Sequence, residues 1–414
     1  MGHIYIGILV MIISVIVSAF CYPRVLDFAR KHNIVDNPSA RKLQRVPVPV
    51  MGGVVVFVGI VAAGIVLDIL VYNHVLTVGL VLMTLMMLIG VWDDMRDISA
   101  LLRLLIEFAT MTTFVLLTNV YIDDFHGLWG VNEISPWIGI PLSVIAGVGI
   151  INAINMIDGV DGYLSGFGIL VCICLGLVGC AVCSPVTACI SMIVIGAILP
   201  FFFHNVFGVR SKMFFGDGGT LMLGTLMALM MCYMLSSKHR CHILEIKGVG
   251  LVAFTIAVFC IPIFDMLRVM TLRILRGRSP FRGDKTHLHH LFIDMGFSHL
   301  GAAISIIMIN AMVVIIWYLS WIIGASVDTQ LYIVIGLGMV VTFGFYKYMK
   351  VQQCSGPLDS DGYPQGTKVW HAMLQLGRFS HKEKKRLWRI IRYLMDGPIL
   401  IRVRNIIIKK SPAQ

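Results

Sequence analysis

The chain has 414 residues, of which 58% are hydrophobic and only 13% charged. A soluble chain is about a quarter charged, so this composition excludes an ordinary soluble globular protein and predicts a polytopic membrane protein. The formal net charge is +11, and its placement along the chain carries topological information.

Apolar runs of about 20 residues are long enough to cross a bilayer as helices. Eleven are predicted, near 4–20, 51–72, 75–91, 103–120, 137–154, 165–183, 186–207, 214–235, 249–272, 302–324 and 330–348. The expected fold class is therefore all-α, with about eleven transmembrane helices. No Lys or Arg precedes the first span, whereas Arg24, Arg30 and Lys31 follow it, the reverse of a signal peptide's charge order. It reads as an uncleaved anchor. Cytoplasmic loops keep the positive charge. Six Lys and Arg fall in 21–50, five in 273–301 and fourteen after 346, whereas 121–136 has none and 236–248 has only Lys238, Arg240 and Lys247. With eleven spans this puts the N-terminus outside and the C-terminus in the cytoplasm.

Most of the ten cysteines, among them Cys172, Cys174, Cys180, Cys189, Cys232 and Cys260, fall within spans and read as small hydrophobes. Cys180 and Cys183 form a CxxC, but no second pair follows at zinc spacing. Residues 1–349 read as one membrane domain. The linker "QQCSGPLDSDGYPQG" then opens a basic cytoplasmic tail, 350–414. In it Leu387, Ile390, Ile391 and Leu394 recur at helical spacing among basic residues, which predicts an interfacial helix on anionic lipid or a solvated tail.

The dense polar clusters all fall at predicted cytoplasmic ends: Asp93, Asp94 and Asp97 after the third span; Asn152, Asn155, Asp158 and Asp161 at three-residue steps after the fifth; "FFGDGG" opening the eighth; and "GRSPFRGDKTHLHH" after the ninth. A transporter would place its ionisable residues near the midplane. Here only Asp68, Glu107, Asp265 and Arg268 lie deep in spans, the last two one helical turn apart and predicted to pair. One-sided polarity points instead to an enzyme whose soluble substrate arrives from the cytoplasm and whose lipid substrate enters from the side.

Adjacent carboxylates such as Asp93 and Asp94 do not both ionise cheaply without a cation nearby. With Asn155, Asp158, Asp161 and Asp217 they offer hard oxygen donors, which suit Mg²⁺ or Mn²⁺ better than zinc. Six such residues exceed what one ion needs, so some are left to act as base or to bind sugar or nucleoside. "GDGG" at the mouth of the eighth span is expected to present free N–H groups and a positive dipole end to an anion, Gly218 among them. His287, His289 and His290, flanked by Arg278, Arg282 and Lys285, read as donors to phosphate or nucleotide, with zinc as the alternative.

Taken in order, "DNPSARK", "WDD", "NAINMIDGVDG", "FFGDGG" and "SPFRGDKTHLHH" closely resemble the polyprenyl-phosphate N-acetylhexosamine-1-phosphate transferases, glycosyltransferase family 4, over about residues 36–325. Members of that family move a sugar-1-phosphate from a UDP-sugar to a polyprenyl phosphate in the bacterial inner (plasma) membrane and release UMP. The resemblance implies that Asp217 and Asn155 bind Mg²⁺ on the donor pyrophosphate, and that Asp93 and Asp94 activate the lipid phosphate. It further implies that Asp158 and Asp161 serve the uridine and sugar region, that Arg103 faces phosphate, and that the His loop closes over the donor. Asn152 and Gly218 fall within the motifs and join the expected substrate-binding set. "SPFRGDKTHLHH" looks like the branch that uses UDP-N-acetylglucosamine and undecaprenyl phosphate and initiates cell-envelope polysaccharides. The muramoyl-pentapeptide branch is the rival within the family, and a lipid or nucleotide-sugar transporter the rival outside it. Gln44 and Val50 depart from the family's pattern, which commonly has His and Arg there. The expected partners are the UDP-sugar, the polyprenyl phosphate and membrane lipid, with no nucleic acid; a homodimer stays open.

Overall fold

The structure is a computed structural model that describes residues 2–36, 47–96, 98–181, 185–208, 210–237, 248–280 and 286–355, with 386, 389 and 390. Its helices are α1 (Gly2–Lys31), α2 (Gly52–Val71), α3 (His74–Arg96), α4 (Ala100–Thr118), α5 (Pro136–Met156), α6 (Tyr163–Ala181), α7 (Pro185–Phe207) and α8 (Gly216–Met234). They continue with α9 (Leu251–Val258), α10 (Cys260–Leu275), α11 (Leu288–Asp294), α12 (His299–Ile322), α13 (Val327–Met339) and α14 (Tyr346–Ser355), with a π-helical stretch, Val340–Phe345, joining the last two. Among the described residues ten helical spans are long and apolar enough to cross a membrane, or eleven when the bent pair α9–α10 is counted as one span. The protein is all-α and polytopic, as its composition predicts. The tail beyond 355 lies outside the described residues apart from 386, 389 and 390.

Helix α8 is the axis of the bundle. Nearly all of it is buried, against α2, α3 and α5. Lipid supplies no hydrophobic drive between helices, so close packing of small residues has to hold them together. That packing is backbone to backbone here. A Cβ added at Gly53 on α2 would lie 2.2 Å from the Gly219 Cα, and one at Gly90 on α3 would lie 2.4 Å from the Gly218 Cα.

Three features depart from the sequence reading. The first span runs to Lys31 rather than residue 20, about 45 Å of helix. Its extension braces the linker before α8: the Tyr22 hydroxyl donates to the Ser211 carbonyl at 2.8 Å, and its ring stacks on His204. Second, Val35–Asp36 (β1) pairs antiparallel with Val48–Pro49 (β2), a two-residue ribbon too short to leave a periodic signal. The chain before α8 is tied on beside it, because Phe214 N–H donates to Pro49 O and Gly52 N–H to Phe214 O, both at 2.8 Å.

The third departure is the ninth span, which is broken, with α10 bent 70° from α9. Pro262 has no N–H to return to Val258 O, so the ladder fails there. Broken backbone inside a bilayer must find partners within the protein. Asn310 of α12, fully buried, provides them: its Oδ1 accepts the Ile261 N–H and its Nδ2 donates to Val258 O, both at 2.9 Å.

The α3–α8 contact yields a test. Gly90→Ala has to push the helices apart and is expected to destabilise the purified protein by about 1–3 kcal/mol. Gly149→Ala on α5, where an added Cβ meets nothing within 4 Å, is the matched control and should leave thermal unfolding unchanged or slightly raised.

Candidate active site

The ends of α3 and α5 and the start of α8 meet at one end of the bundle, and each acid of the α3 pair holds a different neighbour. Asp94 turns to α8, its Oδ1 accepting the Asp217 N–H at 2.9 Å and its Oδ2 the Gly218 N–H at 3.1 Å. A carboxylate there satisfies two N–H groups the helix cannot and sits against the positive end of its dipole. Gly216, just before, has φ +80°, and a Cβ on it would lie 2.7 Å from Asp94 Oδ2. The expectation that "GDGG" presents free N–H groups is thus corrected at Asp217 and Gly218, which are capped from within the protein.

Asp93 turns to α4. Its Oδ1 accepts the Ile98 N–H at 2.7 Å and its Oδ2 lies 3.1 Å from Arg103 Nη1. The Arg103 Nε is 3.8 Å from Oε1 of Glu107, a fully buried residue, and Glu107 Oε2 accepts a hydrogen bond from Asn152 Nδ2. Arg103 therefore lies between two acids, and Asn152 is bound to α4. One turn further along α5, Asn155 Oδ1 accepts the Thr220 hydroxyl at 2.6 Å, joining α5 to α8.

The loop after α5 carries the other two acids. Asp158 is exposed at the rim. Its carboxyl is nevertheless raised well above the usual carboxylate range, first by local desolvation and then by the like charges of Asp217, Asp94 and Asp161, against a hydrogen bond from the Gly216 backbone. Since the residue stays open to water, the crowding of negative charge is the firmer of those causes. Asp161 is buried and goes the other way. Burial alone would raise it, but the His299 hydrogen bond and the Lys212 charge outweigh burial and hold it below the usual range. Its Oδ2 lies 2.7 Å from Lys212 Nζ and 3.3 Å from His299 Nδ1.

The His motif docks from the far side. Asp265 and Arg268 pair at 2.6 Å as their spacing predicts, and Arg268 also donates to Thr286 O. Asp265 Oδ2 lies 2.9 Å from His287 Nδ1, so His287 is anchored to α10. Next in line, His289 is buried against the acidic loop, where a Cβ on Gly159 would lie 2.3 Å from its Nε2. His290 follows, its ring 4.3 Å from that of His289. Arg278 is exposed just past α10. Arg282, Lys285, Gln44 and Cys183 lie outside the described residues.

The structure thus brings together Asp94, Asp158, Asp161, Asp217 and Asn155, with His287, His289 and His290 alongside, and diverts Asp93, Arg103 and Asn152 into a network behind them. Lys212 and His299 have no place in the sequence reading. Lys212 is two residues upstream of "FFGDGG" and His299 opens the tenth span, so only the fold shows that they share one carboxylate oxygen. Among the described residues no three His, Cys, Asp or Glu side chains form a metal-binding group. A cation here would draw on one or two protein oxygens, with water and phosphate completing its shell, which is the habit of Mg²⁺. Asp217 and Asn155 are the donors suited to that, and the like-charge crowding on Asp158 is what a cation would relieve.

The structure is a helical membrane bundle with a carboxylate-rich site at one end. Residues 76–235 match the family described as glycosyl transferase family 4. A probable undecaprenyl-phosphate N-acetylglucosaminyl 1-phosphate transferase of Bacillus subtilis (strain 168) is 28% identical over 306 residues, 73% of this chain and 82% of its own. The undecaprenyl-phosphate alpha-N-acetylglucosaminyl 1-phosphate transferase of Escherichia coli (strain K12) is 29% identical over 312 residues, 72% of this chain and 80% of its own. The protein of that name in Yersinia pestis is 28% identical over 301 residues, 70% and 77%.

Burial first, and then the charges of His290 and His287, hold the His289 pKa well below its ordinary value. The unfolded chain therefore binds the proton more readily than the folded one. The stabilisation is complete above about pH 6.5 and is lost as pH falls below it, at up to about 1.4 kcal/mol per pH unit. Thermal unfolding between pH 7.5 and 5.5 should show this slope, and His289→Gln should flatten it.

Proposed function

We propose that the protein transfers N-acetylglucosamine-1-phosphate from UDP-N-acetylglucosamine to undecaprenyl phosphate, releasing UMP and initiating a cell-envelope polysaccharide. The observation that carries this reading is the convergence of Asp94, Asp158, Asp161 and Asp217 at one end of a membrane bundle, with the His motif packed against the same loop. The names of the relatives agree with it. The Lys and Arg bias supports assigning that end to the cytoplasmic face of the bacterial plasma membrane, where nucleotide sugars are found.

In the reaction an oxygen of the lipid phosphate attacks the β-phosphorus of the donor, and the bond from that phosphorus to the bridging oxygen breaks. UMP leaves with the bridging oxygen and its electron pair. Such transfers depend on positioning and on neutralising charge. Asp217 and Asn155 would hold Mg²⁺, whose contribution is to neutralise pyrophosphate charge. Asp94 keeps Asp217 in place by capping its N–H. Asp158, exposed at the rim and with a raised proton affinity, is the acid best suited to accept the acceptor's proton and keep its phosphate dianionic. Asp93 acts from behind by holding Arg103 and the start of α4.

The test is transfer by purified full-length protein with undecaprenyl phosphate, Mg²⁺ and radiolabelled UDP-N-acetylglucosamine, which should yield a lipid-linked product and UMP. UDP-N-acetylmuramoyl-pentapeptide should yield none, and the reverse result overturns the donor assignment. Asp217→Asn should lower kcat at least about a hundredfold at every Mg²⁺ concentration while the protein stays folded. Near-normal turnover would remove Asp217 from the metal.

A further inference from the structure

Asp161 does more than line the site, because it is where three separate segments are fastened together. It belongs to the loop between α5 and α6, Lys212 to the linker between α7 and α8, and His299 to the first turn of α12. Both of these basic side chains address the same carboxylate oxygen, at 2.7 Å and 3.3 Å. Asp161 is 7% exposed, so the contacts are made largely away from water, where a charge-assisted hydrogen bond holds best. The next residue is fixed as well: Gly162 N–H donates to Asn205 Oδ1 at 2.8 Å, and Asn205 Nδ2 donates to Met213 O, beside Lys212, at 3.0 Å. On the other side of the loop, Gly159 lies against His289. The loop that carries Asp158 is therefore clasped on its flanks and leaves only its rim open.

We propose that Lys212 and His299 are positioning residues that, through Asp161, hold the Val160–Gly162 side of the loop, apart from the exposed Asp158, in the form that takes the nucleotide end of the donor. The inference rests on the donor reading given above. Lys212 and His299 each spend one polar contact on Asp161. Their effect falls on the shape of the loop. The linker that carries Lys212 is itself braced by Tyr22 through Ser211, so the clasp has a rigid support on that side. Lys212 Nζ also lies over the Phe214 ring, 5.3 Å from its centroid, which restrains it further.

The experiment measures donor KM, acceptor KM and kcat, together with UMP binding by calorimetry, on full-length protein carrying Lys212→Met, Lys212→Arg, His299→Ala or His299→Asn. Lys212→Met and His299→Ala are each expected to raise donor KM and weaken UMP binding about tenfold. In both, kcat and the undecaprenyl phosphate KM should stay within about twofold of wild type. Lys212→Arg keeps the cation and His299→Asn keeps an N–H donor near the Nδ1 position, so each should recover most of the loss. If Lys212→Met fails to fold, the His299 pair reads the same oxygen. Unchanged donor KM and UMP affinity would overturn the proposal, as would a fall in kcat at fixed donor KM or an equal loss in both substrates' KM values. A wild-type protein that binds UMP but transfers no N-acetylglucosamine-1-phosphate would defeat the donor reading, and the UMP comparison among variants would still decide this one.

Discussion

One carboxylate on two backbone N–H groups organises this end of the bundle. Asp94 closes the start of α8, and the geometry that allows it is demanding: α3 and α8 must touch at their backbones, and the residue before the cap must take a left-handed conformation. Gly90, Gly216 and Gly218 meet these needs together. Because Asp217 follows immediately, gripping the helix start also aims that side chain. Asn155 reaches α8 a turn later through Thr220, so the same helix positions both expected metal ligands.

Charge in the site is sorted by what each acid already holds. Asp94 is spent on backbone, Asp93 on Arg103 and a backbone N–H, and Asp161 on Lys212 and His299. Asp158 is crowded by the like charges of Asp217, Asp94 and Asp161 and stays exposed at the rim, so it is a natural place for chemistry that needs a proton acceptor. Acids that look equivalent as letters therefore separate into holders and actors once their partners are known.

The sequence was most legible where one physical rule dominates. Apolar length identified the spans, since nothing but helix satisfies backbone groups in lipid, and ten of the predicted spans are single helical stretches in the structure. The clustering of Asp94, Asp158 and Asp217 was legible because charge next to apolar runs is rarely idle. What stayed hidden depends on contacts far apart in the chain. Lys212 and Asp161 are 51 residues apart, and Glu107 meets Asn152 across 45. The break at Phe259 had a local sign in Pro262, but its partner Asn310 is on another helix. The two-residue ribbon of Val35–Asp36 and Val48–Pro49 is below the length at which alternation can register.

The repair of that break bears on how the chain is made. As the segment around Pro262 enters the bilayer, the Val258 carbonyl and the Ile261 N–H have no partner within their own helices. The side chain that satisfies both is synthesised 49 residues after Ile261. Until α12 is delivered, the two backbone groups at the bend that leads into α10, which carries Asp265 and Arg268, lack the side chain that satisfies them both. Completion of this side of the site is therefore a late event in biogenesis, timed by the insertion of α12 rather than by the helix that bears the residues themselves.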